Sequence, residues 1–271
     1  MDPSLFKLTS LNLNGIRSAA SKGLEPWLEQ YRPDCICVQE VRCQAADLQG
    51  RFEQLAGLQG HFHFAQRKGY SGVGIYTRHE PSDVRVGYGC GEFDPEGRYL
   101  ELRFDTPTRR LSIISVYFPS GSSGEERQLA KFRFLDNFHP HLMRLKAERE
   151  FILCGDINIA HSQADLKNWR SNQKNSGFLP EERAWMTKLL HPTDPTGGLV
   201  DVYRHLKPHT TDECYTWWSN RGQAYANNVG WRLDYHLATP ALAQLARTEH
   251  IYKDQKFSDH APITVGYELA L

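Results

Sequence analysis

The sequence lacks several features, and each absence excludes a class of protein. No apolar run approaches the roughly 18 residues that a membrane-spanning helix needs, so we expect no contact with membranes. The six cysteines form no C-x-x-C pair and several lie in apolar runs, which favours reduced, mostly buried thiols over a disulfide framework. The first residues, MDPSLFKLTS, lack the pattern of a signal peptide. Together these absences predict a cytoplasmic protein.

An excess of charge of one sign is also missing, because 32 basic and 32 acidic side chains give a formal net charge of zero. Bulk charge therefore gives no indication of binding to nucleic acid, and any such surface must be local. The best candidate is the stretch DLKNWRSNQKN at 165–175, where Lys167, Arg170 and Lys174 alternate with Trp169 and amides. A solvated loop explains such a stretch equally well when it is considered alone.

No Ser/Gly/Pro-rich linker or charge block divides the chain, so we predict a single domain over residues 1–271. Apolar, β-branched runs predict strands at 6–12, 34–39, 61–66, 72–77, 83–88, 98–104, 110–118, 151–155, 213–218, 233–238 and 262–267. Helical patterns occupy 18–31, 45–56, 124–146 and 180–190.

The longest helical pattern carries two local signals. Ser123 with Glu126 resembles a capping box at its start, and Pro140 is expected to kink or break it midway. Many strands with few long helices argue against a barrel of eight alternating strand–helix units. Two packed β-sheets covered by helices, an α/β sandwich, fit the pattern better.

The stretch FILCGDINIAH, residues 151–161, begins as a buried strand and ends in polar side chains. Because side chains alternate faces along an extended chain, Asp156 and Asn158 should point the same way, with Ile157 turned into the protein. The spacing predicts two polar groups that converge on one point.

Other predicted strands also begin or end in polar groups, with almost no lysine among them. These residues are Asn12 and Asn14, Gln39 and Glu40, Tyr117, Asp234, and Asp259 with His260. One polar strand end is ordinary, whereas so many acids, amides and a histidine indicate one acidic cleft above the strand ends.

Each candidate has a simpler interpretation. Glu40 could be a solvated helix cap, and His260 an ordinary hydrogen-bonded residue. Ser258, Asp259 and His260 are adjacent, so their side chains diverge and cannot form a catalytic triad. His61 and His63 could share a strand face as metal ligands, but without a third ligand nearby we prefer packing or surface positions.

The residue types in the predicted cleft suit metal-assisted hydrolysis of a phosphate ester. Mg²⁺ prefers carboxylates, tolerates an amide oxygen and suits phosphate substrates, so Glu40 and Asp259, with Asn12 nearby, are candidate ligands. Asp234 would orient His260 and keep it protonated against a phosphate oxygen. Asp156 would then be free to activate a water, and Asn158 would bond either that water or the phosphate. The sequence contains no P-loop pattern.

The order of the motifs resembles that of the exonuclease III-type AP endonucleases, within the wider endonuclease/exonuclease/phosphatase superfamily. The resemblance covers about residues 6–268. It rests on LNLNGIR, VQEVR, GYSGVGIYTR, VYFPSG, GDINIAH, NSGFLPEER, YTWWSNRGQAY, NVGWRLDY and SDHAPI. Single motifs such as G-D-x-N are only moderately specific, whereas their ordered combination with NVGWRLDY is strong.

The resemblance implies a four-layered α/β sandwich and a Mg²⁺-dependent enzyme that also accepts Mn²⁺. Such an enzyme cleaves double-stranded DNA on the 5′ side of an abasic site, leaves a 3′-hydroxyl and acts in base excision repair. Clean-up of blocked 3′ ends and 3′→5′ exonuclease action accompany this activity. We therefore expect the enzyme to act at the nucleoid of a bacterial-type cytoplasm. Nothing in the sequence requires more than a monomer.

The resemblance also implies roles for individual residues. Glu40 and Asp259 would hold the metal with Asn12 close by, and Asp156 and Asn158 would also lie at the metal while they bind and activate the water. His260, oriented by Asp234, and Tyr117 would contact the scissile phosphate. The apolar pocket for the flipped-out abasic sugar would consist of Trp217, Trp231 and Leu233. DNA contacts would come from Lys167, Arg170 and Lys174. Asn14 stands where some relatives carry an acid, and we assign it to substrate binding.

Two alternatives keep part of this interpretation. A phosphodiesterase with the same metal core could act on a phospholipid or on unspecific DNA, but NVGWRLDY and YTWW, the motifs of the abasic pocket, count against it. A catalytically inactive DNA-binding module is disfavoured because every expected catalytic residue is retained. The balance of endonuclease and exonuclease activity, and the use of one or two metals, stay open.

Overall fold

The structure, a computed structural model, describes residues 4–271, so residues 1–3 of the predicted domain lie outside the described residues. The strands are β1 (Phe6–Asn12), β2 (Cys35–Gln39), β3 (Gln54–Leu55), β4 (Leu58–His63), β5 (Val73–Thr77), β6 (Asp83–Val86), β7 (Tyr99–Arg103), β8 (Leu111–Tyr117), β9 (Glu150–Asp156), β10 (Val200–Asp201), β11 (Trp217–Trp218), β12 (Gly230–Trp231), β13 (Asp234–Ala238), β14 (Ala246–Ile251) and β15 (Ile263–Tyr267). The helices are α1 (Ile16–Ser21), α2 (Leu24–Tyr31), α3 (Ala45–Leu48), α4 (Glu125–Glu148), α5 (Trp169–Asn172), α6 (Pro180–Leu190), α7 (Val202–Leu206) and α8 (Pro240–Ala243).

Two large mixed sheets face each other. The first has the strand order β14-β15-β1-β2-β5-β4-β3, and the second has the order β10-β13-β9-β8-β7-β6. Each sheet contains one parallel pair joined by a helical crossover: β1 with β2 through α1 and α2, and β8 with β9 through α4. A short β11–β12 pair stands apart from both sheets.

Alternating burial along the strands explains the layers. In β9, Ile152 and Cys154 pack into the core between the sheets, whereas Phe151 and Leu153 pack outward in a second cluster with α4 and α6. On the other side, α1 and α2 cover the first sheet with residues such as Trp27. The order helices, sheet, sheet, helices is the four-layered α/β sandwich predicted above, and that prediction is confirmed. Within residues 4–271, no helix has the length and apolar character required to cross a membrane.

Gly155 allows the parallel pair of the second sheet to come close just before the polar strand end. A Cβ added at this position would lie 1.9 Å from the carbonyl oxygen of Val116 on β8. The glycine of the G-D-x-N motif is therefore required by backbone packing, because any larger residue would push β9 away from β8.

Two predicted helices are shorter than expected. The pattern at 18–31 forms α1 and α2, which are separated at Gly23, a residue with a φ of 91°. Of the helix predicted at 45–56, only Ala45–Leu48 is helical. Strand β3 follows and forms a hairpin with β4. The turn of that hairpin contains Ala56 and Gly57 with φ values of 52° and 77°, the conformation of a tight turn that helical periodicity does not reveal.

The prediction of a capping box at Ser123 and of a break at Pro140 was wrong. Helix α4 has Gly124 as its N-terminal cap, with a φ of 139°, and makes no side-chain capping bond there. It then runs unbroken through Pro140, an exposed position, because Phe138 and Leu142 pack into the core on either side of it. Their burial outweighs the one backbone hydrogen bond that proline removes.

Several strands differ from their predicted positions. The run predicted at 61–66 is paired over Leu58–His63 instead, and of 213–218 only Trp217–Trp218 is a strand. Strand β14 was missed because it is an edge strand with an exposed or half-exposed centre, so it lacks an apolar pattern. Strands β3, β10 and β12, of two residues each, were also missed.

Candidate active site

The polar strand ends meet at one edge of the sandwich. Because β1 and β2 are parallel, as are β8 and β9, the carboxyl ends of all four strands can open on the same side. Tyr117 of β8 lies in register with Asp156 of β9, and Asp234 at the start of β13 is paired with the same Asp156. The loop between β14 and β15 adds Asp259 and His260, since an isolated bridge pairs His260 with Trp217.

Asp156 and Asn158 line the same pocket, but not by simple alternation along a strand. Strand β9 ends at Asp156, and Asn158 has a left-handed backbone with a φ of 54°. The backbone N–H of Asn158 donates to Oδ1 of Asp156 at 2.9 Å, and its side-chain Nδ2 donates to the carbonyl oxygen of Phe118 at 2.9 Å. One of the two amide N–H groups is thus committed to the protein, whereas the amide oxygen of Asn158 has no hydrogen bond among the described residues and can accept in the pocket. Ile157 is buried, as predicted.

Asn12 links the two acidic strand ends. Its Nδ2 donates to Oε1 of Glu40 at 2.9 Å and to Oδ2 of Asp156 at 3.0 Å. Its Oδ1 accepts the backbone N–H of Asn14 at 2.9 Å, in a turn of the same kind as that at Asp156 and Asn158. Asn12 therefore presents donors to the two carboxylates and directs its oxygen away from them. Asn14 has a φ of 44° and is not among the residues that line the pocket.

Glu40 is not a helix cap. It follows β2 with a φ of 46°, and α3 begins later, after Gln44. Its Oε2 accepts two bonds from Arg42, from Nε at 3.0 Å and from Nη2 at 2.6 Å. Arg42 also lines the pocket, and our sequence reasoning did not single it out, although VQEVR places it two residues after the acid.

His260 lies between two carboxylates. Its Nδ1 is 2.8 Å from Oδ2 of Asp234, and its Nε2 is 3.6 Å from Oδ2 of Asp156. Burial alone would lower the pKa of His260, but the carboxylates of Asp234 and Asp156 outweigh it and raise that pKa well above its usual value. Burial in turn raises the pKa of Asp156, with the nearby acids adding to the effect and His260 opposing it. The imidazole is therefore held in its charged form, as a donor in the pocket.

The donor set fits a divalent cation that prefers oxygen ligands. Glu40, Asp156 and His260 each have one potential ligand atom within 4.8 Å of the others, and the bond between His260 Nδ1 and Asp234 leaves only Nε2 of the ring facing Asp156. Asp259 also lines the pocket and adds a third carboxylate, whose Oδ2 accepts from Trp217 Nε1 at 3.1 Å. Within the described residues, its buried Oδ1 has no hydrogen-bond partner. A buried carboxylate oxygen without a donor is what a cation would satisfy.

One wall of the pocket is apolar. The strands β11 and β12 pair Trp217 with Trp231, whose rings lie 6.2 Å apart at 79°, and Leu233 lies beside them. The pocket has a volume of about 270 Å³. Its other lining residues are Glu40, Arg42, Tyr117, Ser120, Ser122, Asp156, Asn158, Ser176, Gly177, Asp259 and His260. The site thus combines an acidic, charged floor with an aromatic wall.

Tyr117 is held by a buried arginine that the sequence did not indicate. Arg98 is 2% exposed, donates to the carbonyl oxygen of Tyr117 at 3.1 Å and lies 5.0 Å from the centre of its ring. It also donates to the hydroxyl of Tyr70 at 2.8 Å. Burial and the charge of Glu40 raise the pKa of Tyr117, so its hydroxyl stays protonated at neutral pH.

The basic stretch lies near the aromatic wall and is exposed. Lys167 is paired with Asp212 at 3.0 Å, the Arg170 guanidinium lies 4.5 Å from the ring of Trp169, and Lys174 is exposed two residues before Ser176 of the pocket. Trp169 packs against the cluster that contains Leu233. The three cations therefore flank the pocket.

The structure also decides two alternatives left by the sequence, a catalytic triad at 258–260 and the position of His63. Ser258 donates to the carbonyl oxygen of Asn12, and His260 is bonded to Asp234, so the adjacent Ser258, Asp259 and His260 form no triad. His63 is buried and its Nδ1 lies 2.8 Å from the carbonyl oxygen of Tyr99, which is the packing position that we preferred.

The four-layered sandwich and an acidic pocket with a charged histidine define a metal-binding hydrolase of phosphate esters. The chain belongs to the endonuclease/exonuclease/phosphatase family, whose model matches residues 9–260.

The chain is also similar to individual members. It is 34% identical over 259 residues to an exodeoxyribonuclease of Bacillus subtilis. This alignment covers 95% of this chain and 98% of that protein. It is 33% identical over 272 residues to a DNA-(apurinic or apyrimidinic site) endonuclease of Dictyostelium discoideum, covering 99% of this chain and 72% of that protein. The structure of an AP endonuclease from Archaeoglobus fulgidus matches with a TM-score of 0.85 at 26% identity, covering 98% of this chain and all of that one.

Proposed function

We propose that this chain is a DNA-repair hydrolase, an AP endonuclease that cleaves the phosphodiester 5′ to an abasic site in double-stranded DNA and leaves a 3′-hydroxyl. Removal of blocked 3′ ends and 3′→5′ exonuclease action accompany it. The observation that carries the proposal is the junction of an acidic, histidine-containing floor with the aromatic wall of Trp217 and Trp231 in one pocket.

Asp156 accepts a proton from the attacking water. Its Oδ1 and Oδ2 are held by the Asn158 backbone and by Asn12, so the carboxylate has one orientation. The side-chain oxygen of Asn158 accepts the second hydrogen of that water, since its nitrogen is bonded to Phe118. This orientation favours the water over the phosphate as the partner of Asn158.

The charged Nε2–H of His260 donates to a nonbridging oxygen of the scissile phosphate. Asp234 accepts from Nδ1 and thereby fixes both the ring and its charge. The Tyr117 hydroxyl, which is also a donor at neutral pH, approaches the same phosphate. Both donors act where negative charge grows in the transition state.

Glu40 and Asp259 would hold a divalent cation, Mg²⁺ or Mn²⁺, with Asp156 and Asn158 beside it. When bound, it supplies positive charge that stabilises the phosphate and the leaving oxygen. Asn12 is a hydrogen-bond donor and not a metal ligand, because its side-chain oxygen is directed to Asn14. Its nitrogen bonds Glu40 and Asp156 and holds the two carboxylates at a fixed distance.

Selection of the abasic site depends on what the sugar lacks. The wall formed by Trp217, Trp231 and Leu233 accepts a sugar without a base, whereas a nucleotide with a base is too large. Flipping the sugar out of the duplex also costs less at an abasic site, because no base pair has to be broken. The flanking Lys167, Arg170 and Lys174 bind the DNA backbone, and Asn14 contributes near the same strand end. We further propose that residues 1–271 act as one domain, as a monomer, in the nucleoid of a bacterial-type cytoplasm.

The test uses a duplex oligonucleotide with a single abasic analogue. We expect incision at the abasic position with Mg²⁺ and none after addition of a chelator. A matched duplex with an intact base, and a phosphoinositide substrate, serve as controls for the alternative substrates. Incision of the intact duplex at the same rate would favour an unspecific nuclease, and binding of abasic DNA without incision would favour an inactive binding module.

A further inference from the structure

A buried ion pair lies behind the water-binding side of the pocket. Lys131 of α4 and Glu182 of α6 form a salt bridge in which both side chains are 0% exposed. Lys131 lies in the buried stripe of α4, between Ala130 and Phe134. A buried pair of this kind is weak evidence for stability, because its desolvation offsets its attraction. Its contacts indicate another role.

Each partner also bonds the backbone of a pocket segment. The Lys131 ammonium donates to the carbonyl oxygen of Asn158 at 2.7 Å. Glu182 Oε1 accepts the backbone N–H of Gly177 at 2.8 Å and that of Leu179 at 3.0 Å. The pair thus joins the loop that carries Asn158 to the loop that carries Gly177, and both residues line the pocket.

A third pocket segment is attached to the same pair. Gln128 of α4 lies 3.5 Å from the second oxygen of Glu182. A Cβ added at Gly121 would come within 1.9 Å of Gln128 and 2.7 Å of the Ser176 hydroxyl, so the loop of Ser120 and Ser122 packs directly on this group. The segments at 120–122, 158 and 176–177 make up one side of the pocket.

We propose that Lys131 and Glu182 are positioning residues, which hold Asn158 and the adjoining wall in the geometry needed to orient the attacking water. The proposal rests on the proposed function for the identity of the reaction. Neither side chain touches the substrate. Asn158 has a left-handed backbone, so its side-chain direction depends on how its own peptide groups are anchored, and Lys131 holds one of them.

The decisive variant replaces both charges by apolar residues of similar size, Lys131→Met with Glu182→Leu. Removal of the whole pair leaves no unpaired buried charge, so the variant should stay folded. The carbonyl of Asn158 and the N–H groups of Gly177 and Leu179 nevertheless lose their partners. We expect the single-turnover rate constant on abasic DNA to fall roughly 10- to 100-fold, as for other residues that orient a catalytic group, with little change in DNA affinity.

The matched control is a second ion pair at the other end of the second sheet. Arg149 bonds Asp105 at 2.8 Å beside the start of β8, far along the strand from Tyr117. Arg149→Met with Asp105→Asn should leave the single-turnover rate constant unchanged. A purely structural role for Lys131 and Glu182 would lower the amplitude of the single turnover through a smaller folded fraction and would leave its rate constant intact.

Hydrogen exchange gives a readout that does not depend on the substrate. We expect faster exchange in the double variant at 157–160 and 176–179, and unchanged exchange in β9. If the folded double variant keeps wild-type exchange in those segments and a rate constant within threefold of wild type, the positioning role is refuted. Failure of the wild-type protein to incise abasic DNA would instead refute the proposed function, and the exchange data would still decide on the ion pair.

Two conservative variants decide the matter if the double variant does not fold. Lys131→Arg keeps the charge and the donors, so we expect a rate constant close to wild type. Glu182→Asp keeps the charge but withdraws the carboxylate from Gly177 and Leu179, so we expect a lower rate constant. Equal rate constants for the Asp variant and the wild type would refute the proposal.

Discussion

At the scale of single residues, the site depends on where hydrogen-bond donors are directed. Asn12 at the end of β1 and Asn158 just after β9 have the same side chain, yet they serve opposite purposes. Asn12 directs its nitrogen toward Glu40 and Asp156, whereas Asn158 commits its nitrogen to Phe118 and leaves its oxygen to the pocket. Residue type alone could not distinguish the two, because an amide both donates and accepts.

Removal of the general base should slow catalysis strongly and spare binding. We expect Asp156→Ala to reduce the rate of incision of abasic DNA by about 10²- to 10⁴-fold or more, because the attacking water loses its proton acceptor. DNA affinity should stay near the wild-type value, because the flanking cations are untouched. Quenched-flow kinetics and a binding titration on the same duplex measure both quantities. Asp194→Ala, at a half-exposed loop position, is the control, and near-normal turnover of the Asp156 variant would refute the assignment.

At the scale of elements, a buried charge cluster anchors the aromatic wall. Arg232 lies between Trp231 and Leu233 with its side chain turned inward and 0% exposed. It donates to Asp165 at 2.8 Å and to Asp201 at 2.5 Å, and Arg204 also reaches Asp165. These contacts join the 3₁₀ helix Gln163–Asp165, the end of β10, and the chain between β12 and β13. Alternation along 231–233 then directs the two apolar side chains into the pocket.

Loss of Arg232 should destabilise the protein strongly. Arg232→Met leaves the carboxylates of Asp165 and Asp201 buried with fewer partners, and we expect a loss of about 3 to 5 kcal/mol in the free energy of unfolding. Denaturant unfolding monitored by fluorescence measures the change. The control is Arg85→Met, which removes an exposed pair with Asp83 and should cost less than about 1 kcal/mol. Similar losses for the two variants would show that the buried cluster contributes no more than a surface pair.

The core between the sheets contains a histidine that should make stability depend on pH. His236 of β13 is fully buried, with Nδ1 3.0 Å from the Tyr267 hydroxyl, and burial lowers its pKa to about 4 from 6.5. The unfolded chain binds a proton at this residue near pH 6.5, whereas the folded chain resists protonation until about pH 4. The contribution of His236 is therefore fully present above pH 6.5 and is lost as the pH falls toward 4.

Unfolding of the wild type and of His236→Gln at several pH values tests this dependence. We expect the stability advantage of the wild type to shrink as the pH falls from about 6.5 to 4, by an amount on the order of 1.4 kcal/mol per pH unit at most. His191→Gln, at an exposed position, should show no such trend. A constant difference between wild type and the His236 variant over this range would contradict the buried neutral state.

At the scale of the whole molecule, the chain is electrically balanced, so its affinity for DNA must come from a local surface. The formal net charge is zero, yet Lys174 and Arg170 flank the pocket without a carboxylate partner among the described salt bridges. Cations that contact phosphates release counterions, and the affinity therefore falls with salt in proportion to their number.

The salt dependence of binding tests this surface. We expect the affinity for abasic duplex to fall steeply with salt, and the slope of log affinity against log salt to decrease by about 1 for each of Arg170→Ala and Lys174→Ala. Arg144→Ala, an exposed position near the carboxyl end of α4, is the control and should leave the slope unchanged. A flat salt response of the wild type would refute the role of the stretch at 165–175.

The local pattern of the sequence was sufficient for most of the fold. Strands with alternating or continuous apolar residues, such as β1, β2, β8 and β9, were predicted nearly to the residue because their burial pattern is visible in the sequence. The hairpin at Ala56 and Gly57 and the edge strand β14 were not, since a two-residue turn and a half-exposed strand leave no apolar periodicity. Pro140 was misjudged because the packing of its neighbours outweighs a local propensity.

The sequence by itself determined which chemical groups stand at the strand ends: Asp156, Asn158, Glu40, Asp234, Asp259 and His260. Only the tertiary structure decided which atoms face one another. It directs the side-chain nitrogen of Asn12 to two carboxylates and that of Asn158 to Phe118. It also places the buried groups Arg98, Lys131 and Glu182 behind the pocket. These contacts join residues far apart in the chain, and their direction depends on left-handed backbone angles and on the meeting of two sheets, which no local pattern encodes.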